Sequence, residues 1–170
     1  TIIGTLGREL IIVGNVDPAE RGTLVTVPVS FVPNGGAADQ IVFTVNFGPD
    51  LTFDPGSAAV DPAQGANTTV AAVSVPGSVM FTVADTLGDP LLAGGLINFR
   101  LNVAALAVIE PKPLTVTALA VSDEIPAATA IPGAIAVDGS VNVVGNTSLT
   151  VGTRSAAVGG SVMVPLTLSA

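Results

Sequence analysis

Strict alternation of apolar and polar residues is the feature that most limits what this chain can fold into. Residues 24–31 place Val25, Val27, Val29 and Phe31 on one side of an extended chain. Residues 41–47 do the same with Ile41, Phe43, Val45 and Phe47, and residues 79–83 with Val79, Phe81 and Val83. In residues 96–103 the inward set is Ile97, Phe99, Leu101 and Val103, opposite Asn98, Arg100 and Asn102. Successive side chains of a strand point to opposite faces, so this pattern marks strands buried on one side only. β-Branched residues dominate these runs, as a pleated surface favours. Pro33-Asn34-Gly35-Gly36, Gly48-Pro49-Asp50, Pro76-Gly77, Pro132-Gly133 and Asp138-Gly139 interrupt them. Such clusters are turn formers. Eight to ten short strands at regular spacing predict an all-β sandwich. Pro28 inside a regular strand predicts an edge position or a bulge. Residues 101–110, rich in Ala and Leu and ending at Pro111, predict a short turn of helix.

Composition removes whole classes of chemistry. Of 170 residues none is His, Cys, Trp or Tyr. A disulfide framework, a thiol nucleophile, a Ser-His-Asp triad and a His/Cys zinc site are therefore all excluded. Thirteen acidic against five basic residues give a net charge of −8, with no basic stripe for nucleic acid or for an anionic membrane surface. No apolar run approaches the roughly 20 residues of a spanning helix. Charged residues are only 11% of the chain, so Thr, Ser, Asn and Gln must supply most of the polar surface. That balance suits an extracellular or cell-surface protein. A chain opening at Thr1 without a leader pattern reads as a processed protein or an excised piece.

The clearest organisational signal is a repeat. Val13-Gly14, a loop, and then Gly22-Thr23-Leu24-Val25-Thr26-Val27-Pro28-Val29 return near the end. There they read Val151-Gly152, a loop, and Gly159-Gly160-Ser161-Val162-Met163-Val164-Pro165-Leu166. Internal self-similarity of this kind points to modular architecture. The reading that follows is an N-terminal extension over 1–8, a sandwich over 9–144, and a linker plus strand pair over 145–170 that resembles the start of a second module. Two strands cannot bury an apolar face alone. Val162, Val164, Leu166 and Leu168 are thus candidate interface residues for strand donation to another copy, which repeated head to tail builds a filament. An edge formed by Ile2, Ile3, Leu10, Ile11 and Ile12 is the expected receiver.

Gly22, Val25, Val27, Pro28 and Val29, followed by Phe47-Gly48-Pro49 with Leu51 and Phe53, resemble the cohesin family. Later segments resemble it too: Gly77-Ser78-Val79-Met80-Phe81-Thr82-Val83, Gly95-Leu96-Ile97-Asn98-Phe99, and a closing stretch over 131–143 with Asp138-Gly139. The resemblance covers residues 9–144. It implies a jelly-roll sandwich of about nine strands, an extracellular location, and non-catalytic binding of a protein partner, often a dockerin. Two departures stand out: Gly48 occupies the position where the family usually has an aspartate, and tyrosine is missing.

The remaining chemistry is sparse. Asp123-Glu124 is the sole adjacent acidic pair, and on an extended chain its members face opposite ways, so it forms no catalytic dyad. Lys112, between Pro111 and Pro113, reads as a residue of a stiff exposed turn. The aspartates of the steps at Asp17, Asp54, Asp61 and Asp89 read as turn residues capping their own backbone, with calcium ligation as the competing role; no acidic triplet has EF-hand spacing. Phe43, Phe47, Phe81 and Phe99 fall on inward stripes and serve packing rather than sugar binding. Asn67 and Asn146 head Asn-x-Ser/Thr acceptors in loops, where glycosylation is sterically feasible. The expected function is a non-enzymatic, cofactor-free structural protein that polymerises with itself; capture of a dockerin-bearing partner is the alternative.

Overall fold

The computed structural model describes residues 8–35, 37–123, 129–146, 148–155 and 158–169. All described secondary structure is β, in two packed sheets and one separate hairpin. The first sheet contains β1 (Leu10–Val13), β3 (Leu24–Val32), β5 (Leu51–Phe53), β9 (Gly94–Val103) and β12 (Ile135–Val137). Its order is β12-β1-β3-β9-β5, with β6 (Ala59–Val60) also on β9. The second holds β2 (Asn15–Glu20), β4 (Gln40–Phe47), β7 (Thr68–Val75), β8 (Ser78–Asp85), β10 (Pro111–Asp123) and β13 (Gly139–Val144). Its order is β2-β13-β10-β4-β8-β7, with β11 (Thr129–Ala130) on β10.

The alternating stripes form the core between the sheets. Val25, Val27, Val29, Phe31, Ile41, Phe43, Val45, Phe47, Val79, Phe81, Val83, Ile97, Phe99, Leu101 and Val103 are all buried. Phe81 stands at the centre: its ring centroid lies 5.3 Å from Phe43, 6.0 Å from Phe53 and 4.9 Å from Phe99. Cross-strand pairing places Phe43 directly opposite Phe81. Such tilted and edge-on ring pairs add attraction beyond the area they bury.

Two strands cross between the sheets side by side. The opening strand bends at Gly14, leaving β12 and β3 to join β13 as β2; the closing strand bends at Asp138 in the same way. Both pairs, β1 with β12 and β2 with β13, are parallel. Gly139 is buried here, and a side chain on it would strike the carbonyl oxygens of Gly14 and Val13.

This crossing also explains Pro28. β3 is an interior strand rather than an edge, with β1 on one side and β9 on the other. Pro28 lies just beyond the last β1 partner, Val29, where β1 departs for the other sheet, so its missing N–H costs no ladder bond on that side. Its carbonyl instead accepts a hydrogen bond from the Gly14 N–H at 2.8 Å. A register shift in the β3–β9 pairing follows between Val29 and Ser30.

Several local expectations need correction. Residues 104–110 form a turn, not a helix, and Ala107 is buried. Asp17-Pro18 lies within β2, where Asp17 accepts a hydrogen bond from Asn142 Nδ2 at 2.7 Å. Asp61 does cap its turn, accepting from the Ala63 N–H at 2.9 Å. The proposed receiving edge is not open at Leu10, Ile11 and Ile12, because β1 is flanked on both sides by β12 and β3; Ile2 and Ile3 lie outside the described residues.

Candidate assembly interface

The C-terminal segment forms an antiparallel hairpin of β14 (Ser148–Val151) and β15 (Leu166–Ser169). Its register repeats that of β1 with β3. Val13 faces Val29 and Ile11 faces Phe31 in the sandwich; Val151 faces Leu166 and Leu149 faces Leu168 in the hairpin. The Gly152 N–H donates to the Pro165 carbonyl at 2.9 Å, as Gly14 does to Pro28. In both copies the glycine lies under the proline ring: an added Cβ would come within 2.7 Å of Pro28 Cγ or 2.6 Å of Pro165 Cγ. The turns before the second strands match as well, with Gly22 at φ +71° and Gly159 at φ +82°.

The two copies differ in what covers them. Val25, Val27 and Val29 are 8%, 0% and 1% exposed, whereas Val162, Val164 and Leu166 are 46%, 43% and 66% exposed. The backbone of Leu168 pairs with Leu149, while its side chain lies outside the described residues. β15 begins only at Leu166, so Val162 and Val164 precede it and lie in no strand. Residues 24–28 of β3 are held extended by β9, and residues 161–165 have no such ladder among the described residues.

A second open surface lies on the sandwich. On the outer face of β4, β8 and β7, Thr44, Met80 and Val73 form one cross-strand row, and Val42, Thr82 and Ala71 the next. The outward positions of these three strands carry no Asp, Glu, Lys or Arg. Beside this face, β7 ends the sheet, paired only with β8 among the described residues. An apolar cleft of about 700 Å³ separates the ends of β7 and β5, lined by Phe47, Leu51, Phe53, Ser74 and Val75 together with prolines of the adjoining turns. Sequence reasoning missed this edge, although the absence of charge and proline over residues 68–75 was a readable signal.

Lys112 is not in an exposed turn. It lies in β10, is only 7% exposed, and pairs across to Val141. Its Nζ contacts Asp50 Oδ2 at 2.6 Å and Glu110 Oε1 at 2.7 Å. The Asp50 hydrogen bond, followed by that of Glu110, holds the Lys112 ammonium above its ordinary 10.5. The same Lys112 contact, aided by the Val108 amide, holds Asp50 below its ordinary 3.8. Both directions favour a charged pair that ties the β4–β5 turn to β10, with the lysine locked as an ammonium rather than free as a nucleophile. Raised Lys112 stabilises the fold fully below 10.5, and that contribution is lost as pH rises through its folded value. Lowered Asp50 stabilises above 3.8, and that contribution is lost as pH falls through its folded value. Lys112→Met is therefore expected to lower the melting temperature by several degrees at neutral pH. Thermal denaturation in strong acid and strong alkali should show the deficit shrinking at both ends.

The other candidates stand apart. Asn67 is exposed in the turn before β7, where its carbonyl accepts from the Thr86 N–H at 3.1 Å. Asn146 is exposed after β13 and its Nδ2 donates to the Arg21 carbonyl at 3.1 Å. Asp123 pairs with Thr129 at the end of β10, and Glu124 lies outside the described residues. No group of three or more acidic side chains converges among the described residues. Buried Asp85 uses Oδ1 to accept from the Leu87 and Asp89 amides at 2.9 and 3.1 Å, so it caps its loop.

No family model and no curated protein matches the sequence. Solved structures do match the fold. A chain of the CaDoc0917–CaCohA2 complex aligns with TM-score 0.66 at 22% identity, over 80% of this chain and 99% of the other. The third cohesin of ScaC from Acetivibrio cellulolyticus, solved in complex with the ScaB dockerin, aligns with TM-score 0.64 at 19% identity, over 80% and 99%. BcpA, the major pilin subunit of Bacillus cereus, aligns with TM-score 0.50 at 13% identity, over 84% of this chain and 40% of the pilin. At these identities the likeness establishes the fold, a cohesin-like jelly-roll sandwich.

Proposed function

We propose that this chain is a non-enzymatic structural protein of the cell exterior, a subunit of a filament or surface array that joins copies head to tail by β-strand donation. One observation carries the reading: the hairpin of β14 and β15 repeats the register and the glycine–proline contact of β1 and β3, yet Val151, Val162, Val164 and Leu166 are exposed. In this reading residues 9–144 are the sandwich, and residues 145–170 are a connector and a second copy of its opening strands. Exposed Val and Leu, on β15 and on the extended-pattern residues just before it, favour pairing with another chain. The fold likeness to a major pilin subunit is in keeping with such a role.

The test is sedimentation of the full chain beside a variant ending at Asn146. Every buried core residue described lies between Ile11 and Val143, so the shortened chain keeps its core. The full chain is expected to form concentration-dependent oligomers, and the shortened one to stay monomeric with unchanged melting. A monomeric full chain, or a shortened chain that assembles equally well, refutes strand donation.

The alternative is a binding module that captures a dockerin-bearing partner. Its support is the uncharged outer face of β4, β8 and β7, and the cohesin–dockerin complex among the solved structures of this fold. Titration with dockerins in the presence of calcium, repeated with Met80→Lys, distinguishes this face from the hairpin.

A further inference from the structure

We infer that the acceptor of the donated strand is the free edge of β7 in a second copy of this chain, beside the apolar cleft between β5 and the β7–β8 turn. This rests on the strand-donation reading above and names its receiving site.

The first sheet has no place for a copied hairpin. β1 is enclosed by β12 and β3, and β3 by β1 and β9. Its edge strands are short: β12 and β5 have three residues each and β6 two. In the second sheet, edge strand β2 carries Asp17, Pro18 and Glu20. Charges and proline are the usual guards of an edge against foreign strands. β7 has neither. It runs for eight residues, Thr68–Val75, as Thr-Thr-Val-Ala-Ala-Val-Ser-Val. β6 approaches it, but from Ala71 onward every residue of β7 is exposed, with Val73 at 61% and Val75 at 59%.

The donor fits this edge in pattern and charge. Val162, Val164 and Leu166 alternate with Met163 and Pro165, and residues 158–169 contain no charged side chain. Their counterparts in β3 pair antiparallel with β9, so this sequence already suits an antiparallel neighbour on that side. The cleft residues are uncharged too. Two copies, each carrying −8, thus meet without bringing carboxylates together. The cleft is within the roughly 300–1,000 Å³ range of ligand sites. Ser74 and Val75 belong both to its lining and to the edge. A strand added along β7 therefore gains main-chain hydrogen bonds from the edge and apolar contact from the cleft, the two components of β-augmentation.

The experiment is analytical ultracentrifugation of the full chain carrying Val73→Lys and Val75→Lys together, beside Thr44→Lys on the same face two strands inward. Association is expected to weaken at least about tenfold in the β7 double variant, the scale of a lost apolar anchor, and to be unchanged in Thr44→Lys. Melting should be unaltered in both, because all three side chains point outward. The chain has no native cysteine, so site-specific cross-linking gives a second readout. A Val75→Cys chain oxidised with a Leu166→Cys chain should yield the mixed disulfide dimer. If the β7 variant assembles normally and no mixed dimer forms, the acceptor lies elsewhere, while strand donation still stands if the chain ending at Asn146 is monomeric. Equal loss in Thr44→Lys overturns the edge in favour of the outer face. A monomeric unmodified chain overturns both proposals.

Discussion

Phe81→Ala is expected to destabilise the sandwich by about 3–5 kcal/mol, the cost of deleting a fully buried ring. The residue has no exposed surface and touches rings from both layers: Phe43 in the second sheet, Phe53 and Phe99 in the first. Removing it leaves a cavity that strands on both sides cannot easily close, since each is held by its own ladder. At ~2–4 °C per kcal/mol for a chain of this size, melting should fall by roughly 6–20 °C. Thermal unfolding followed by circular dichroism measures this directly. A shift of only a degree or two would mean that the layers collapse around the gap and are not fixed by their ladders.

The second large effect comes from one substitution made at two equivalent places. Gly14→Val and Gly152→Val create the same clash, with the proline ring of the neighbouring strand. At Gly14 the strained strand pair is part of the core, and overpacking of this kind costs about 1–3 kcal/mol. Gly14→Val should therefore lower the melting temperature. Gly152→Val should leave melting unchanged, because the hairpin contributes no described core residue. It should instead abolish self-association. Calorimetry and sedimentation of the two variants separate the effects. If Gly152→Val lowers melting as much as Gly14→Val does, the hairpin unfolds with the sandwich and is no independent connector.

The fold was readable wherever one face of a strand is buried and the other is wet. β3, β4 and β8 show clean alternation, and their inward sets were identified residue by residue; in β9 the alternation holds from Ile97 on, but Leu96 is buried beside it and was missed. The repeat was readable because glycine and proline have specific backbone roles: the Gly14–Pro28 contact tolerates neither a side chain on the glycine nor a displaced ring. β7 was obscure for the opposite reason. With both faces exposed over residues 71–75, selection for alternation is absent and the sequence shows no period. Lys112 was misread because flanking prolines suggest a turn. Prolines two residues apart remove donors from the same side of a strand, so the other side can still pair, and β10 pairs with β13 there. Burial of the lysine depends on Asp50, which is remote in sequence and could not be matched to it in advance.

The side-by-side crossing of the first and last strands has a mechanical consequence. β1 and β2 run parallel to β12 and β13, so the start of β1 and the end of β13 lie at opposite ends of the paired stretch. Tension applied through the two ends of the sandwich drags these neighbours past each other lengthwise. The hydrogen bonds of both parallel ladders then bear the load together in shear, instead of opening one after another as in a peeled hairpin. A pull on the first and last residues of the sandwich therefore meets its own closure in the direction where it resists most.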